Sequence, residues 1–424
     1  MPKNAMTVGA PRAAAPRSLW LLGPALVAGV AYLDPGNVAS NMTAGAQYGY
    51  LLVWVVVAGN VMAWLIQYLS AKLGVVTGQS LPEVLGTRLR NRWGRRAYWL
   101  QAELVAMATD LAEVIGGAVA LNLLFGVPLL VGGIITGAVS MTLLAVQSRR
   151  GPRPFEFVIV ALLAIITIGF VAGVFVAPPD PAGIASGMVP RFEDTGSVLL
   201  AASILGATIM PHAIYAHSSL ARDRFGAAQP GEADAARTEP ARIRRLLKFT
   251  RWDVTIAMII AGSVNLCILL LAAANLAGVE GTDSLEGAHA ALAAGLGPVV
   301  ATFFAVGLLA SGLASTSVGA YAGAEIMHGL LHVRVPLLAR RLVTLIPALL
   351  ILGLGVDPTL ALVLSQVALS FGIPFALIPL VVLTAQRRTL GGYANRAWTT
   401  VAGVVATVLL IALNTTLLYL LLSA

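Results

Sequence analysis

Two short stretches decide the fold: Asp34-Pro-Gly-Asn37 and Gly206-Ala-Thr-Ile-Met210-Pro-His212, each lodged inside a run that is otherwise apolar. Proline removes a backbone donor and clashes with the preceding turn, and glycine adds conformational freedom, so each stretch should unwind a helix locally. The carbonyls freed near Ala31 and Ala207 then need partners. In hydrocarbon such backbone is tolerated only where it faces a cavity or a ligand.

The surroundings of these breaks are membrane-like. Of 424 residues, 58% are hydrophobic and 11% charged, and the mean hydropathy is +0.86, which excludes an ordinary soluble domain. A spanning helix needs about 20 mostly apolar residues. Stretches such as Val38–Ala71, Val114–Ser148 and Gly287–Ala324 carry no Asp, Glu, Lys or Arg, and several are long enough for two helices. Divided at Gly/Pro turns, the chain reads as an all-α integral membrane protein of eleven spans: 20–46, 50–73, 97–124, 127–146, 154–177, 197–225, 252–274, 287–325, 337–354, 359–384 and 397–421. Residues 1–17 and Gly226–Thr250 read as mobile polar segments outside one transmembrane domain, 18–424.

The net charge of +8 could point to nucleic acid, but the positions of the basic residues argue otherwise. With the N-terminus inside, 26 of the 27 Lys and Arg fall in cytoplasmic segments, Arg191 alone outside, while loop 275–286 holds Glu280, Asp283 and Glu286. The positive-inside bias therefore predicts an inner-membrane, multi-pass protein with N-terminus in and C-terminus out. Nothing in the pattern requires an oligomer. Cys267, the single cysteine, lies within a span and allows no intrachain disulfide. The first apolar run ends in Leu-Asp-Pro-Gly-Asn rather than a small-residue cleavage site, so it reads as mature structure.

The breaks fall in the first and sixth spans. Five is an odd separation, so these helices cross in opposite directions and suit an inverted repeat, spans 1–5 (about 20–177) against 6–10 (about 197–384), with span 11 (397–421) added. Paired broken helices are the best sequence pointer to a midplane substrate site. That site offers the Asp34 carboxylate, the Asn37 amide oxygen, the Met210 thioether and the carbonyls near Ala31 and Ala207. Oxygens alone would suit Mg2+ or Ca2+; a thioether favours softer, partly dehydrated ions, so the mixture suggests Mn2+ or Fe2+. Methionine is also common core filler. A mid-membrane aspartate, by contrast, is costly and functional by default.

The third span holds Glu103, Asp110 and Glu113, with Asp110 and Glu113 at i, i+3 on one face and Glu103 two turns away on nearly the same side. Three acids in one apolar span need partners or protons. Either they form a proton path with His212, or they pair with Arg340 and Arg341 at the start of the ninth span; protonation can break such a pair, so the readings are compatible. His212 and His217 lack the i, i+4 spacing and adjacent base of a metalloprotease, and His217 reads as a polar helix residue near the cytoplasmic side. Asn265 and Gln366 suit helix-to-helix hydrogen bonds, and Gln366 could also reach a bound ion when the tenth helix moves.

With these residues assembled, Asp34-Pro-Gly-Asn37, Met210-Pro-His212, Thr109-Asp-Leu-Ala-Glu113-Val-Ile-Gly-Gly117, Gly307-Leu-Leu-Ala-Ser-Gly-Leu-Ala-Ser-Thr316 and Ser365-Gln-Val-Ala-Leu-Ser-Phe-Gly-Ile-Pro374 closely resemble the NRAMP family of metal transporters. The resemblance implies a LeuT-type 5+5 inverted repeat importing Mn2+, Fe2+ and related ions such as Co2+ and Cd2+ with protons, and no resident cofactor. It implies metal ligation by Asp34, Asn37 and Met210, by the carbonyls of Ala31 and Ala207 in a state-dependent way, and by Gln366 in more closed states. It places Asp34, Asp110, Glu113 and His212 on the proton route, with Glu103, Arg340 and Arg341 toward its cytoplasmic end. One stretch departs from the family pattern: Gly323-Ala-Glu325-Ile-Met327-His328-Gly329 stands where Gly-Gln and then Met-Glu-Gly are expected. Two rival readings fit the residues less well. An organic-substrate symporter of the same architecture predicts a small-residue pocket without a thioether, and an intramembrane hydrolase needs a base and nucleophile that the spacing does not supply.

Overall fold

The computed structural model describes residues 23–150, 152–225, 235–333 and 335–423, and among them regular structure is entirely helical. Seventeen helices follow in order: α1 (Pro24–Ala31), α2 (Pro35–Tyr48), α3 (Val53–Thr77), α4 (Leu81–Arg88), α5 (Arg92–Phe125), α6 (Leu129–Arg150), α7 (Pro152–Val176), α8 (Pro181–Gly187), α9 (Thr195–Thr208), α10 (Pro211–Phe225), α11 (Ala235–Asn275), α12 (Leu285–Leu296), α13 (Pro298–Leu331), α14 (Leu337–Gly353), α15 (Pro358–Ala385), α16 (Arg387–Leu390) and α17 (Ala397–Ser423). The tail 1–17, residues 20–22 of the first expected span, and Arg334 lie outside the described residues.

Each of the eleven apolar segments contains helix, but not every one is a single long rod. Seven helical stretches among the described residues are long and apolar enough to cross a membrane, including Thr195–Phe225 across α9 and α10; an eighth candidate joins Val160–Val176 to Pro181–Gly187 through a 120° bend. The first segment divides into α1 and α2, and α14 is only 17 residues long. The run expected as one span over 287–325 is two helices, because Gly297 adopts φ +94 and Pro298 starts α13 without a donor. The polar stretch Gly226–Thr250 is also corrected: from Ala235 onward it is helical and continuous with the seventh span as α11. Its Leu246 buries against Ala71, Val75, Ala221 and Phe225, an apolar anchor that outweighs the surrounding charge.

Polar groups collect inside and apolar ones face out. The central α9–α10 span is 94% buried across its apolar window, whereas only 28% of the α17 window is buried. The outer faces of α14 and α17 present Leu342, Val343, Ile346, Val401, Val408 and Leu409, all more than half exposed. An apolar face of that extent suits lipid rather than water. Buried within lie Asp34, Asn37, Glu103, Asp110, Glu113, His212, His217, Arg340, Arg341 and Gln366.

Candidate functional site

The site begins with two prolines. A helical carbonyl is normally met by the N–H four residues on, and at Pro35 and Pro211 there is none, so Ala31 O and Ala207 O lose their helical donors. The chain answers differently at each. Ala31 O accepts the Asp34 amide at 3.2 Å in a tightened turn, whereas Ala207 O accepts Asn37 Nδ2 at 2.8 Å from the other broken helix. The carbonyls between the halves of the first segment are also held: Tyr32 O accepts Asn265 Nδ2 at 2.9 Å, and Leu33 O accepts the Ser311 hydroxyl. Asn265 therefore makes the helix-to-helix bond expected of it, and makes it to backbone released by the break.

Asp34 caps α2, its Oδ1 accepting the Asn37 amide at 2.8 Å. Its Oδ2 accepts Gln366 Nε2 from α15 at 3.3 Å. That nitrogen also lies 3.2 Å from Ser365 Oγ. The side-chain oxygens of Asn37 and Gln366 are buried without a hydrogen-bond partner. Close packing makes glycine necessary on both broken helices: a Cβ on Gly36 would stand 1.8 Å from Gln366 Nε2, and one on Gly206 would stand 2.0 Å from Gln366 O. Met210 is fully buried in the gap between α9 and α10, three residues past Ala207, where its own carbonyl accepts Ile214 N at 3.2 Å. The structure thus brings Asp34, Asn37, Ala207 and Gln366 into one contact network, with Met210 in the adjoining break. Among the described residues no three His, Cys, Asp or Glu cluster as a conventional metal site. A donor set of one carboxylate, amide oxygens, a carbonyl and a thioether is instead sparing in charge. Buried acceptors without donors cost about 1–3 kcal/mol each, and a cation is the partner that would satisfy them together.

A second polar centre lies along α5. Arg340 reaches Glu103 at 2.8 Å and Asp110 at 3.7 Å. Arg341 reaches Asp110 at 2.8 Å and Glu113 at 3.3 Å. Arg341, fully buried, also donates to Ser140 Oγ and Thr316 Oγ1, each at 3.2 Å. The ion-pair alternative read from the sequence is therefore present, on the same residues as the suggested proton path. His212 joins the two centres: it follows Pro211 directly, and its Nδ1 lies 3.1 Å from Oγ1 of Thr109, the residue before Asp110. α5 itself abuts the first break, since a Cβ on Gly116 would stand 2.0 Å from Pro35 Cβ.

The sequence reading missed one network. His217, a polar helix residue as expected, is almost fully buried, and its Nδ1 lies 2.7 Å from Gln67 Oε1. Gln67 Nε2 donates in turn to the Tyr32 hydroxyl. The one available signal was Gln67, a polar side chain set among Trp64, Leu65, Ile66 and Leu69 in the apolar run of α3. At the departing end of α13, Glu325 pairs with Arg222 at 2.9 Å, and Arg222 also holds Glu83 at 2.8 Å and Asp223 at 2.7 Å.

Comparison with known proteins follows the same geometry. Residues 25–420 match the protein family described as Natural resistance-associated macrophage protein-like. The "Divalent metal cation transporter MntH" of Mycobacterium tuberculosis (strain ATCC 25618 / H37Rv) is 61% identical over 403 residues, 95% of this chain and 92% of that protein. The crystal structure of an Eremococcus coleocola manganese transporter, in complex with an aromatic bis-isothiourea substituted compound, superposes with a TM-score of 0.82 at 31% identity, covering 96% of this chain and 88% of that one. A nucleobase-cation-symport-1 family transporter, MHP1, shares the fold at a TM-score of 0.57 and 14% identity, covering 93% and 92% of the two chains.

Proposed function

The chain belongs to the Nramp family of membrane metal transporters, built on the LeuT-type fold, and we propose that it carries Mn2+ and Fe2+, with Co2+ and Cd2+ as further cargo, inward across the cell membrane by alternating access coupled to protons. The observation that carries this reading is the pair of proline breaks, whose facing ends gather Asp34, Asn37, Ala207 and Gln366 beside Met210.

In the proposed mechanism an ion arriving from outside exchanges most of its water for the Asp34 carboxylate, the Asn37 and Gln366 amide oxygens, the Met210 sulfur and the Ala207 carbonyl. Ala31 O, which accepts the Asp34 amide here, becomes available when that turn loosens. Ionised Asp34 offsets half of the charge of a divalent ion, so a proton resident on it in the empty site leaves as the ion binds. Its route runs past His212 and Thr109 to Asp110 and Glu113, then by Arg341 and Arg340 to Glu103 on the cytoplasmic side. The broken halves then swing and release the ion inward. A membrane potential of 100 mV favours entry of two charges by about 4.6 kcal/mol, so proton coupling need not be tight.

The thioether is the discriminating donor, and Met210→Ala tests it. In proteoliposomes the variant should still take up Mn2+, while excess Ca2+ or Mg2+, weak competitors against the unsubstituted protein, should inhibit it at least tenfold more strongly, a change of about 1.4 kcal/mol. Unchanged competition would remove the sulfur from the account of selectivity.

A further inference from the structure

A cavity of about 380 Å3 opens between α3, α11 and the start of α17, and none of its lining residues belongs to either polar centre. Lys72, Arg251 and Arg396 line it together with Trp64, Tyr68 and Trp398, and among the described residues no Asp or Glu lines it. Lys72 is only 7% exposed, and its ammonium has a neutral partner, Asn395 Oδ1 at 2.9 Å. A buried cation is ordinarily paired with an anion. The nearest described acid along α11, Asp253, is not a lining residue and accepts the amides of Gly23 and Ala25 at 3.2 and 2.9 Å. Among the described residues, then, no acid on the walls of this cavity supplies its counter-charge.

Position says where that charge comes from. Arg251 and Arg396, both exposed, stand where the apolar runs of α11 and α17 begin, which is the boundary between hydrocarbon and headgroups. Trp398, 62% exposed, projects at the same level, as interfacial tryptophans do. Trp64 is fixed by its Nε1 bond to Thr255 Oγ1 at 2.9 Å, stacks on Tyr68, and carries the Arg251 guanidinium 5.7 Å above its ring. Leu65 and Leu247 complete an apolar wall beside the cations. Three positive groups over an aromatic and aliphatic wall match a phosphodiester with acyl chains attached. We propose that this cavity binds the headgroup of an anionic phospholipid, with Lys72 meeting the phosphate from below and Arg251 and Arg396 from the rim.

The test uses the full-length protein, delipidated in detergent and given phosphatidylglycerol or phosphatidylcholine, with retained lipid read by native mass spectrometry. Phosphatidylglycerol should be retained at least tenfold over phosphatidylcholine. Arg251→Gln and Arg396→Gln alter exposed side chains and should fold normally; each should lower retention roughly fivefold, in keeping with about 1 kcal/mol per basic residue. Lys72→Gln should lower it at least as far. Equal retention of the two lipids overturns the proposal, as does undiminished retention in both arginine variants. Displacement of the lipid by millimolar glycerol 3-phosphate alone also overturns it, because the site would then serve a soluble phosphate.

Discussion

The two buried polar centres are built on opposite principles. At the paired breaks, oxygens face one another with too few donors: Asn37 Oδ1 and Gln366 Oε1 have no partner, and a single carboxylate supplies the charge. Along α5, three carboxylates meet two guanidinium groups at 2.8–3.7 Å, and Arg341 spreads its remaining donors over Ser140 and Thr316. The first arrangement leaves buried amide oxygens open; the second spends its charge on ion pairs within the chain, although three carboxylates against two guanidinium groups leave one negative charge over. A transporter has use for both, since an open site can take and release cargo while a set of ion pairs holds the frame.

Breaking the ion-paired centre should cost the most. Arg341→Ala strands buried carboxylates and should destabilise the fold by about 3–5 kcal/mol, read from denaturant unfolding in detergent. Adding Asp110→Asn should recover part of that loss, and strict additivity of the two changes would show that the residues do not act as a pair.

Breaking the incomplete centre should spare the fold and remove its cargo. Asp34→Asn keeps the size of the side chain but leaves a divalent ion with neutral ligands only, so Mn2+ affinity by calorimetry should fall about a hundredfold, near 2.8 kcal/mol. Wild-type affinity in this variant would separate Asp34 from metal binding. Gly36→Ala sharpens the contrast, because its methyl would collide with Gln366 and push that amide off Asp34. A loss of about tenfold in affinity is expected, and none if Gln366 plays no part.

The smallest effect concerns a charge cluster at the rim. Burial alone would raise the Glu83 carboxyl, but the Arg222 guanidinium at 2.8 Å and the Ser80 amide at 2.7 Å outweigh it and hold its pKa below the usual carboxylate value. A depressed folded pKa contributes stability above the unfolded value of about 4.3. That stability disappears as pH falls through the folded pKa. The melting temperature of Glu83→Gln should thus lie a little below wild type at pH 7 and begin to converge with it only as pH falls below about 4; parallel curves would rule the pair out as a contributor.

Much of this was legible in the residues. Periodicity had little to do with it: the apolar runs located the helices, and Asp34-Pro-Gly-Asn37 and Met210-Pro-His212 located the breaks, because a missing N–H at a given position is a covalent fact. The Ala31 and Ala207 carbonyls followed from counting back four residues from Pro35 and Pro211. Gly297 and the helical continuation at Ala235 were not legible. One depended on a backbone dihedral inside an apolar run, and the other on Leu246 finding a hydrophobic nest built by α3 and α10.

Chain chemistry alone determined where the first and sixth spans break, which groups are charged, and that an aspartate and a methionine sit where backbone bonding fails. Partnership was left to the tertiary structure. Whether Arg341 pairs with Asp110, whether Asn37 reaches Ala207 across 170 residues, and whether His217 meets Gln67 are settled by how helices distant in sequence pack. Hydrogen bonds and ion pairs act over a few ångströms, so only the folded chain decides which polar groups satisfy one another and which remain open for an ion.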